Sequence, residues 1–231
     1  MKIVAITGSG ISAASGIPTY RSAGSGWDEY AKGKAHAKRY GNHLPELWTH
    51  WTAMGRAIKN ADPNPAHTAL AEANAFIITQ NVDGLHQKAG SESVVELHGD
   101  MRTMRCLRCK KSSELDLTTD SPVCKNCGSA RVRTNAVLFG EVILKRHYTA
   151  AENAVKEADL VIVAGTSGVV YPARGLVDTA IERNKRTVLF DIDPWADTQG
   201  FTDVIVGKVE QTLPVFLSGG ILAGDDEKFS G

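Results

Sequence analysis

The sequence predicts an α/β fold, a doubly wound parallel sheet of the Rossmann type with a small second domain inserted into it. Short apolar runs alternate with helical patterns, and they occupy residues 2–7, 75–79, 93–97, 160–164, 187–190 and 204–206. Such runs of β-branched residues are typical of strands buried on both faces of a parallel sheet. A glycine-rich turn follows the first run directly, and two Cys-x-x-Cys pairs interrupt the alternation after the third run.

The composition is that of a globular protein. The chain has 231 residues, of which 42% are hydrophobic and 23% are charged, and its 26 Lys and Arg residues balance its 26 Asp and Glu residues. A neutral chain carries no signal for wholesale nucleic-acid or membrane binding, and no apolar run approaches the ~18 residues that a membrane span needs. The first residues read as a core strand and not as a signal peptide. We therefore expect a cytoplasmic protein with reduced or metal-bound cysteines.

The turn after the first run has the pattern Gly-x-Gly-x-x-Ala, from Gly8 to Ala13. In dinucleotide-binding folds the first glycine allows the tight turn, the second lets the backbone approach a pyrophosphate, and the alanine lets a helix start close to the sheet. The pattern alone fits an ordinary strand-to-helix turn equally well. The acidic residue that usually ends the second strand is missing here. A long glycine-rich loop follows instead, in which Arg21 offers a guanidinium suited to a phosphate.

Residues 22–62 are predicted to form a flexible cofactor loop followed by a helical part. Apolar residues repeat at helical spacing over 45–60, with Trp48 assigned to the core, and a second helix is expected over 65–73. The catalytic domain is then discontinuous, over 1–100 and 134–217. An insert lies at 101–133 and a C-terminal tail at 218–231.

Polar residues follow the buried runs at the points where the runs end. Gln80, Asn81 and Asp83 come after the second run, and His98 comes after the third. Ligands bind beyond the carboxyl ends of parallel strands, so we expect these side chains to meet Gly8 in one crevice. His98 is therefore the histidine assigned to chemistry, whereas His86 is expected to face solvent or to cap a helix. Ordinary surface or core roles are expected for the others, His36, His43, His50, His67 and His147.

The four cysteines predict a structural zinc site. Cys106-x-x-Cys109 and Cys124-x-x-Cys127 have the spacing of two zinc knuckles, whose four thiolates fill a tetrahedral shell and leave no position for water. Disulfides are the alternative, and a reducing compartment disfavours them. The metal should fold an insert that is too small and too polar to bury a core by itself.

The insert is also basic, which raises the question of nucleic-acid binding. Its basic side chains are Arg102, Arg105, Arg108, Lys110, Lys111, Lys125, Arg131 and Arg133. No aromatic residue lies between Met101 and Arg133 to stack on bases. A solvated basic face is the favoured interpretation.

Two later strand ends add candidate contacts to a nucleotide. Gly165-Thr166-Ser167 follows the fourth run with small residues that suit a phosphate or a ribose. Asp191-Ile192-Asp193 follows the fifth run, where a carboxylate suits the ribose hydroxyls of an adenosine. A turn before Pro194 explains the same residues equally well. A last helix is predicted over 209–217.

Taken together, these motifs resemble the sirtuins, the NAD-dependent protein deacylases, in a bacterial-type form. Residues 8–21 resemble the cofactor loop of that family, and further matching stretches follow in the family's order over nearly the whole chain. They are Gln80-Asn81-Val82-Asp83, His98-Gly99, the four cysteines, Phe139-Gly140-Glu141, Gly165-Thr166-Ser167 and Val170-Tyr171-Pro172-Ala173. The chain departs from the family pattern at Ser9, Tyr20, Thr134 and Asp191, where alanine, phenylalanine, proline and asparagine are usual.

The resemblance implies NAD as cofactor, one structural zinc ion and a cleft between the sheet domain and the insert. It implies that His98 is a general base on the ribose hydroxyls, that Asn81 positions the ribose and a water, and that Asp83 binds the nicotinamide amide. The residues expected to contact the cofactor are Gly8, Ser9, Gly10, Ile11, Ser12, Tyr20, Arg21, Trp27, Gln80, Asn81, Asp83, Gly165, Thr166, Ser167, Asp191, Ile192, Asp193 and Val209.

The resemblance also implies acylated lysines of proteins as substrates. In the family the peptide adds as a strand between the segments that match Phe139-Gly140-Glu141 and Gly168-Val169-Val170. The bacterial branch that removes acidic acyl groups has Tyr-x-x-Arg in the helix before the Asn-Pro turn, and Thr52 and Gly55 take those places here. Arg56 lies one residue late, which turns it by about 100° on a helix. We therefore expect removal of acetyl or another neutral acyl group.

Three alternatives remain beside this function. The same site would serve a desuccinylase or demalonylase, and it would also serve NAD hydrolysis or ADP-ribosyl transfer. A non-enzymatic alternative is an NAD-sensing zinc module that binds nucleic acid, which the balanced charge and the missing aromatics disfavour. No internal repeat is present, and a monomer that binds neither membrane nor nucleic acid is expected.

Overall fold

The structure is a computed structural model that describes residues 1–19, 35–119, 121–166, 173–193 and 198–219. Its strands are β1 (Ile3–Thr7), β2 (Phe76–Thr79), β3 (Val94–Glu96), β4 (Thr103–Cys106), β5 (Ser112–Glu114), β6 (Val132–Thr134), β7 (Leu160–Ala164), β8 (Arg186–Asp191) and β9 (Asp203–Val206). Its α-helices are α1 (Leu44–Asn60), α2 (Pro65–Glu72), α3 (Leu85–Lys88), α4 (Lys145–Glu157), α5 (Ala173–Glu182) and α6 (Val209–Leu217). Short 3-10 helices occupy Ser9–Ser15 and Tyr40–Asn42.

Six parallel strands form the main sheet, in the order β3-β2-β1-β7-β8-β9. The chain moves outward from β1 to β3, and it later returns to place β7 on the other side of β1. The direction of winding reverses between β1 and β7, and open parallel sheets bind their ligands at such a switch point. Thr7 of β1 pairs with Thr79 of β2 and with Ala164 of β7, so the three strands end at one level.

Helices cover both faces of this sheet. On one face α4 and α5 pack over a cluster that includes Ile6, Val163 and Leu189. On the other face α2 and α6 pack over a cluster that includes Ile77 and Ile162. Because both faces are buried, consecutive strand residues must all be apolar, which is why the runs in the sequence are continuous.

A second sheet of three antiparallel strands, in the order β5-β4-β6, spans residues 103–134 and forms the core of the insert. Its apolar side packs on α1, where Met104 and Val132 join a cluster with Trp48 and Trp51. The Trp48 indole N–H donates to the Val132 carbonyl at 3.2 Å. The predicted core position of Trp48 is confirmed by its burial.

The predicted fold class is confirmed, with three local differences. The helix expected after the glycine turn is a 3-10 helix, and α4 begins at Lys145 instead of Tyr148. The strands β4 to β6 were not expected, because their sequences are short and polar, and β5 is exposed at every residue. Among the described helices, none is both long and apolar enough to cross a membrane.

Candidate active site

The turn after β1 packs directly against the turn after β7 at the switch point. The Gly8 N–H donates to the Ala164 carbonyl (3.2 Å), and the Gly10 N–H donates to the Gly165 carbonyl (2.8 Å). A Cβ added to Gly10 would lie 2.7 Å from the Gly165 Cα, and one added to Gly165, whose φ is +63°, would clash with the backbone nitrogen of Ile11. Glycine is therefore required here by the contact between two backbones.

Ser12 lies at the centre of a buried polar network behind this turn. The Asn81 side-chain amide donates to the Ser12 hydroxyl (3.0 Å) and to the Gly8 carbonyl (3.1 Å). The Ser12 hydroxyl in turn donates to the Asp83 carboxylate (2.8 Å). Ser12, Asn81 and Asp83 are all buried. The structure thus brings together residues from two strand ends that are far apart in sequence.

His98 lies just beyond the end of β3 and is half-buried. Burial lowers the pKa of His98, and a hydrogen bond with the backbone of Gln80 opposes that shift. The His98 carbonyl accepts from the Val137 N–H at 2.7 Å, which fastens this strand end to the segment that leaves the insert. An imidazole with a lowered pKa is neutral at pH 7, so it is able to accept a proton.

Gln80 ties the ends of three strands together. Its backbone N–H donates to the Thr7 carbonyl at the end of β1 (2.9 Å), and its side-chain oxygen accepts from the Thr166 hydroxyl after β7 (2.9 Å). These bonds fix the relative positions of the two turns that flank the switch point.

The expectation for His86 is wrong. The side chain is 1% exposed, and its Nε2 lies 2.9 Å from the Thr7 hydroxyl. Burial, together with the nearby His67, lowers the pKa of His86 to about 3. A histidine at the start of a short polar helix looks solvent-exposed in sequence, but α3 lies beneath the end of β1 and buries it.

His67 is a residue of this site that the sequence did not single out. It is fully buried, and its Nε2 lies 3.5 Å from the Ser12 hydroxyl. A usable signal was present in its position. Asn64 is the N-cap of α2, Pro65 is the first helical residue, and His67 stands at the third, where a capping box usually has Glu or Gln.

The four cysteines form a compact cluster suited to zinc. Their sulfur atoms all lie within 4.8 Å of one another, with 3.6 Å between Cys106 and Cys127 and 3.6 Å between Cys109 and Cys124. Zinc–sulfur bonds of about 2.3 Å in a tetrahedron place the sulfurs roughly 3.7 Å apart, so the two shortest sulfur–sulfur distances match those around a zinc ion. The backbone N–H groups of Arg108 and Cys109 donate to the Cys106 sulfur, as suits a thiolate.

The predicted substrate segment forms a turn that the insert supports. Phe139 is 43% exposed, and its backbone pairs with Ala35 and Ala37. The Glu141 carboxylate accepts from both terminal nitrogens of the fully buried Arg133, at 2.6 and 3.0 Å. These bonds lower the pKa of Glu141 against the effect of burial. The Glu141 side chain is thus bound to β6 of the insert.

A cavity of about 440 Å³ lies beside this turn. Its lining includes Val137, Gly140 and Glu141 from the turn, together with Arg105 of β4 and His147 of α4.

Thr52 and Gly55, the positions assigned to the acyl group, both lie in α1 but contact different neighbours. The Thr52 hydroxyl donates to the Trp48 carbonyl (2.9 Å) within α1, and the residue is buried. A Cβ added to Gly55 would lie 2.7 Å from the side chains of Leu115 and Leu117, so this residue faces the insert.

The residues after β8 form a tight turn. The Asp191 carboxylate accepts from the Asp193 N–H at 2.9 Å, and Ile192 is 68% exposed. Val209, at the start of α6, is buried in the core of the sheet domain. The remaining predicted contacts, Tyr20, Arg21, Trp27, Ser167, Gly168, Val169 and Val170, lie outside the described residues.

The chain is similar to a well-defined group of proteins. Residues 8–172 match the model of the Sir2 family. The chain is 38% identical over 219 residues to "NAD-dependent protein deacylase 2" of Pyrobaculum aerophilum, covering 91% of this chain and 88% of that protein. It is also 38% identical over 225 residues to "NAD-dependent protein deacylase" of Pyrococcus furiosus, covering 91% of this chain and 90% of that protein.

Solved structures agree with these relatives. A Sir2 homologue in complex with NAD matches with a TM-score of 0.84 and 34% identity, over 94% of this chain and 88% of that chain. A mutant Sir2 homologue in complex with ADP ribose matches with a TM-score of 0.87 and 34% identity, over 94% of this chain and 90% of that chain.

Proposed function

The chain belongs to the Sir2 family, and we propose that it removes acetyl or other neutral acyl groups from protein lysines with NAD as cofactor. The proposal depends on the polar side chains that meet at one edge of the parallel sheet. The network of Ser12, Asn81 and Asp83 lies at the switch point of the sheet, behind the glycine turn. The end of β3 holds a half-buried imidazole, His98, close to Gln80 at the same edge.

The residues at this edge suit a dinucleotide. The turn from Gly8 to Ser12 and the turn at Gly165-Thr166 meet without intervening side chains, which lets backbone approach a pyrophosphate closely. When bound, NAD supplies a ribose carbon whose bond to nicotinamide can be broken in favour of an acyl oxygen. The network behind the turn holds the nicotinamide end of the site in one geometry.

His98 is proposed as the general base. Its burial keeps the imidazole neutral at pH 7, so a ring nitrogen is available to take a proton from a ribose hydroxyl. The bond between its carbonyl and the Val137 N–H fixes the backbone at this position. Asn81 is proposed to position the ribose, and Asp83 to accept a hydrogen bond from the nicotinamide amide.

The turn at Phe139-Gly140-Glu141 is proposed to receive the acylated peptide. The ion pair with Arg133 supports the turn from the side of the insert, and Phe139 and Gly140 remain exposed to a ligand. The Thr52 and Gly55 positions offer no cation for an acyl carboxylate, which supports the preference for neutral acyl groups.

Zinc is proposed to have a structural role. Four thiolates complete its shell, so the ion has no open position for a substrate or for water. Reduced thiols also suit a cytoplasmic location, and we propose that the protein acts there, as a monomer, on acylated proteins.

A panel of acyl peptides tests the proposal. The zinc-loaded protein is incubated with NAD and one lysine peptide carrying acetyl, butyryl or succinyl, and both free lysine and nicotinamide are measured. We expect one nicotinamide to be released per free lysine. We also expect turnover of the acetyl and butyryl peptides to exceed that of the succinyl peptide by at least about tenfold, because no cation at the Thr52 and Gly55 positions would pair with the succinyl carboxylate.

Two further outcomes decide between the alternatives. His98→Ala should abolish turnover while NAD still binds, and His43→Ala, at the start of α1, should leave turnover unchanged. A preference for the succinyl peptide would contradict the acyl assignment. Nicotinamide release without any peptide would instead support NAD hydrolysis or ADP-ribosyl transfer.

A further inference from the structure

Arg105 is a cation at the cavity beside the proposed substrate turn, and the described part of the chain gives it no hydrogen-bonded partner. It lies in β4 of the insert and lines the cavity together with Gly140 and Glu141 of the turn. Its side chain is 38% exposed, and its Nη2 is 3.9 Å from Glu141 Oε1. That distance is too long for a hydrogen bond, so the guanidinium keeps its donors for another acceptor.

Glu141 neutralises Arg133 and not Arg105. Its carboxylate accepts from both terminal nitrogens of Arg133, at 2.6 and 3.0 Å, and Oε2 also accepts from the Leu138 N–H at 2.8 Å. Arg133 is fully buried, and a buried charge needs its partner far more than a partly exposed one does. The three side chains carry two positive charges and one negative charge, which leaves one positive charge beside the cavity.

The position of Arg105 is unfavourable in the free protein. In the antiparallel pairing of β4 with β6, Arg105 lies directly opposite Arg133, and like charges directly opposite each other destabilise a sheet. Burial and the charge of Arg133 lower the pKa of Arg105, against the opposing effect of Glu141. A carboxylate that entered the cavity would offset this repulsion.

The remainder of the cavity suits an aliphatic chain that ends in a carboxylate. Val142 and Leu144 line it directly after the turn, and they are 90% and 48% exposed. Among the described lining residues, the acids and bases are Arg105, the paired Glu141 and the imidazole of His147. The volume of about 440 Å³ lies at the lower end of ligand pockets, and it suits one or two residues of a peptide.

We propose that this cavity binds an Asp or Glu side chain of the acylated protein, close in sequence to the acyl-lysine, and that Arg105 is its ionic partner. The inference rests on the proposed function, in which the turn at Phe139-Gly140-Glu141 receives the peptide. Gly140 and Glu141 belong both to that turn and to the cavity lining. Residues of an extended peptide advance by about 3.3 Å each, so those next to the acyl-lysine come within reach of the cavity. Arg105 thereby selects among lysines without contact to the reacting atoms.

Matched acetyl-lysine peptides test this subsite. One set has alanine around the acetyl-lysine and a single Glu at one of the two positions before it or the two positions after it. A second set has Gln at the same places. Affinity is measured by fluorescence anisotropy without NAD, and KM by release of lysine. We expect Glu to lower Kd and KM about fivefold relative to Gln at one or two of these positions, the effect of a partly exposed ion pair, with kcat unchanged.

Arg105→Gln should abolish the preference, so that the Glu peptide binds no better than its Gln counterpart. The substitution removes a repulsion between opposite strands and should not lower the melting temperature. Arg131→Gln, exposed elsewhere in the insert, is the control and should keep the full preference. Equal affinities for Glu and Gln peptides at every position in the parent, or a Glu preference that persists in Arg105→Gln, would overturn the subsite.

Salt provides a second readout. The Glu preference should shrink in about 1 M sodium chloride, where charges are screened beyond about 3 Å, and a preference that salt leaves unchanged would overturn the ionic contact.

Affinity and turnover together separate this inference from the proposed function. A Glu preference in binding that depends on Arg105, without NAD-dependent release of lysine, would support the subsite and count against the proposed function alone. Turnover of the peptides without any Glu preference would count against the subsite alone.

Discussion

The insert and the edge of the parallel sheet both hold several reactive side chains together, and they do so by different means. In the insert, the four cysteines lie at the end of β4 and in the short turns that follow, and the strands around them are three or four residues long. At the sheet edge, Ser12 lies in the 3-10 helix after β1, and Asn81 and Asp83 lie in the loop after β2. All but the first residue of each of these two strands is buried. The insert depends on its metal, whereas the edge depends on the core.

Arg133 connects the insert to the turn at Phe139-Gly140-Glu141, which leads away from it. Its guanidinium is fully buried in β6, donates to the carbonyls of Thr134 and Ala136, and lies over the Tyr40 ring with 4.7 Å to the centroid. It also pairs with Glu141, in the turn proposed for the substrate. A change in the insert should therefore affect the turn proposed for the substrate more than it affects the network around Asp83.

Loss of the metal should have the largest effect. Cys124→Ser removes one of four thiolates, and structural zinc contributes on the order of 10 kcal/mol to the folding of such sites. We expect loss of bound zinc, measured by elemental analysis, and a fall in deacylation of at least about a hundredfold. NAD binding, measured by calorimetry, should persist. Full zinc content with normal activity would show that the insert does not depend on four ligands, and Ser121→Ala is the control.

Removing the ion pair between Arg133 and Glu141 should have the next largest effect. Glu141→Ala leaves the buried Arg133 charge unpaired, which costs about 3 kcal/mol of stability. Urea unfolding should show this loss, and the KM for the peptide should rise. Glu114→Ala, exposed on β5, should change stability by less than about 0.5 kcal/mol. Equal unfolding midpoints for the two variants would contradict the role of the pair.

Lowering the pH should reduce the stability of the sheet domain, because this domain buries His67. Folded His67 has a pKa of about 4 against an ordinary value of 6.5, so between these values the unfolded chain takes up a proton that the folded chain does not. Stability is unaffected by this group above pH 6.5, and it falls by up to about 1.4 kcal/mol per pH unit below it.

Unfolding midpoints between pH 7 and pH 4.5 test this, with zinc content followed at each pH to exclude loss of the metal. His86 adds to the slope in the same direction, because its pKa is lowered to about 3. The slope should be smaller for His67→Gln than for the parent, and identical slopes would mean that the unfolding seen in acid has another cause.

The smallest effect concerns Thr134, where the family usually has proline. Its hydroxyl is buried and finds no hydrogen-bond partner among the described residues. Thr134→Val removes an unsatisfied polar group and should raise stability by about 1 kcal/mol. A loss of stability in thermal melting would indicate that the hydroxyl is bonded to water in solution.

The two regions also differ in how far the sequence specifies them. The four cysteines of the zinc site could be predicted, because they form two Cys-x-x-Cys pairs with the spacing of zinc knuckles. The sheet edge could be predicted in part. Asn81 and Asp83 stand directly after a buried run, and parallel strands bring their carboxyl ends to one edge.

Burial by distant elements could not be predicted. His67 and His86 lie in ordinary helical surroundings in sequence, and only the packing of α2 and α3 beneath β1 makes them buried members of the site. The carboxylate of Glu141 is paired with Arg133 of β6, a contact that nothing in the sequence indicates. The partner of a charged side chain depends on tertiary contacts, which leave no periodicity in the sequence.

A structure of the protein with NAD and an acetyl-lysine peptide tests the central claim most directly. We expect the ribose that carries nicotinamide within about 3 Å of a His98 ring nitrogen, the distance needed for proton transfer. The nicotinamide amide should lie against Asp83, and the peptide along the Phe139-Gly140-Glu141 turn. NAD bound at another edge of the sheet, or a His98 ring separated from the ribose by more than one water, would contradict the proposed deacylase.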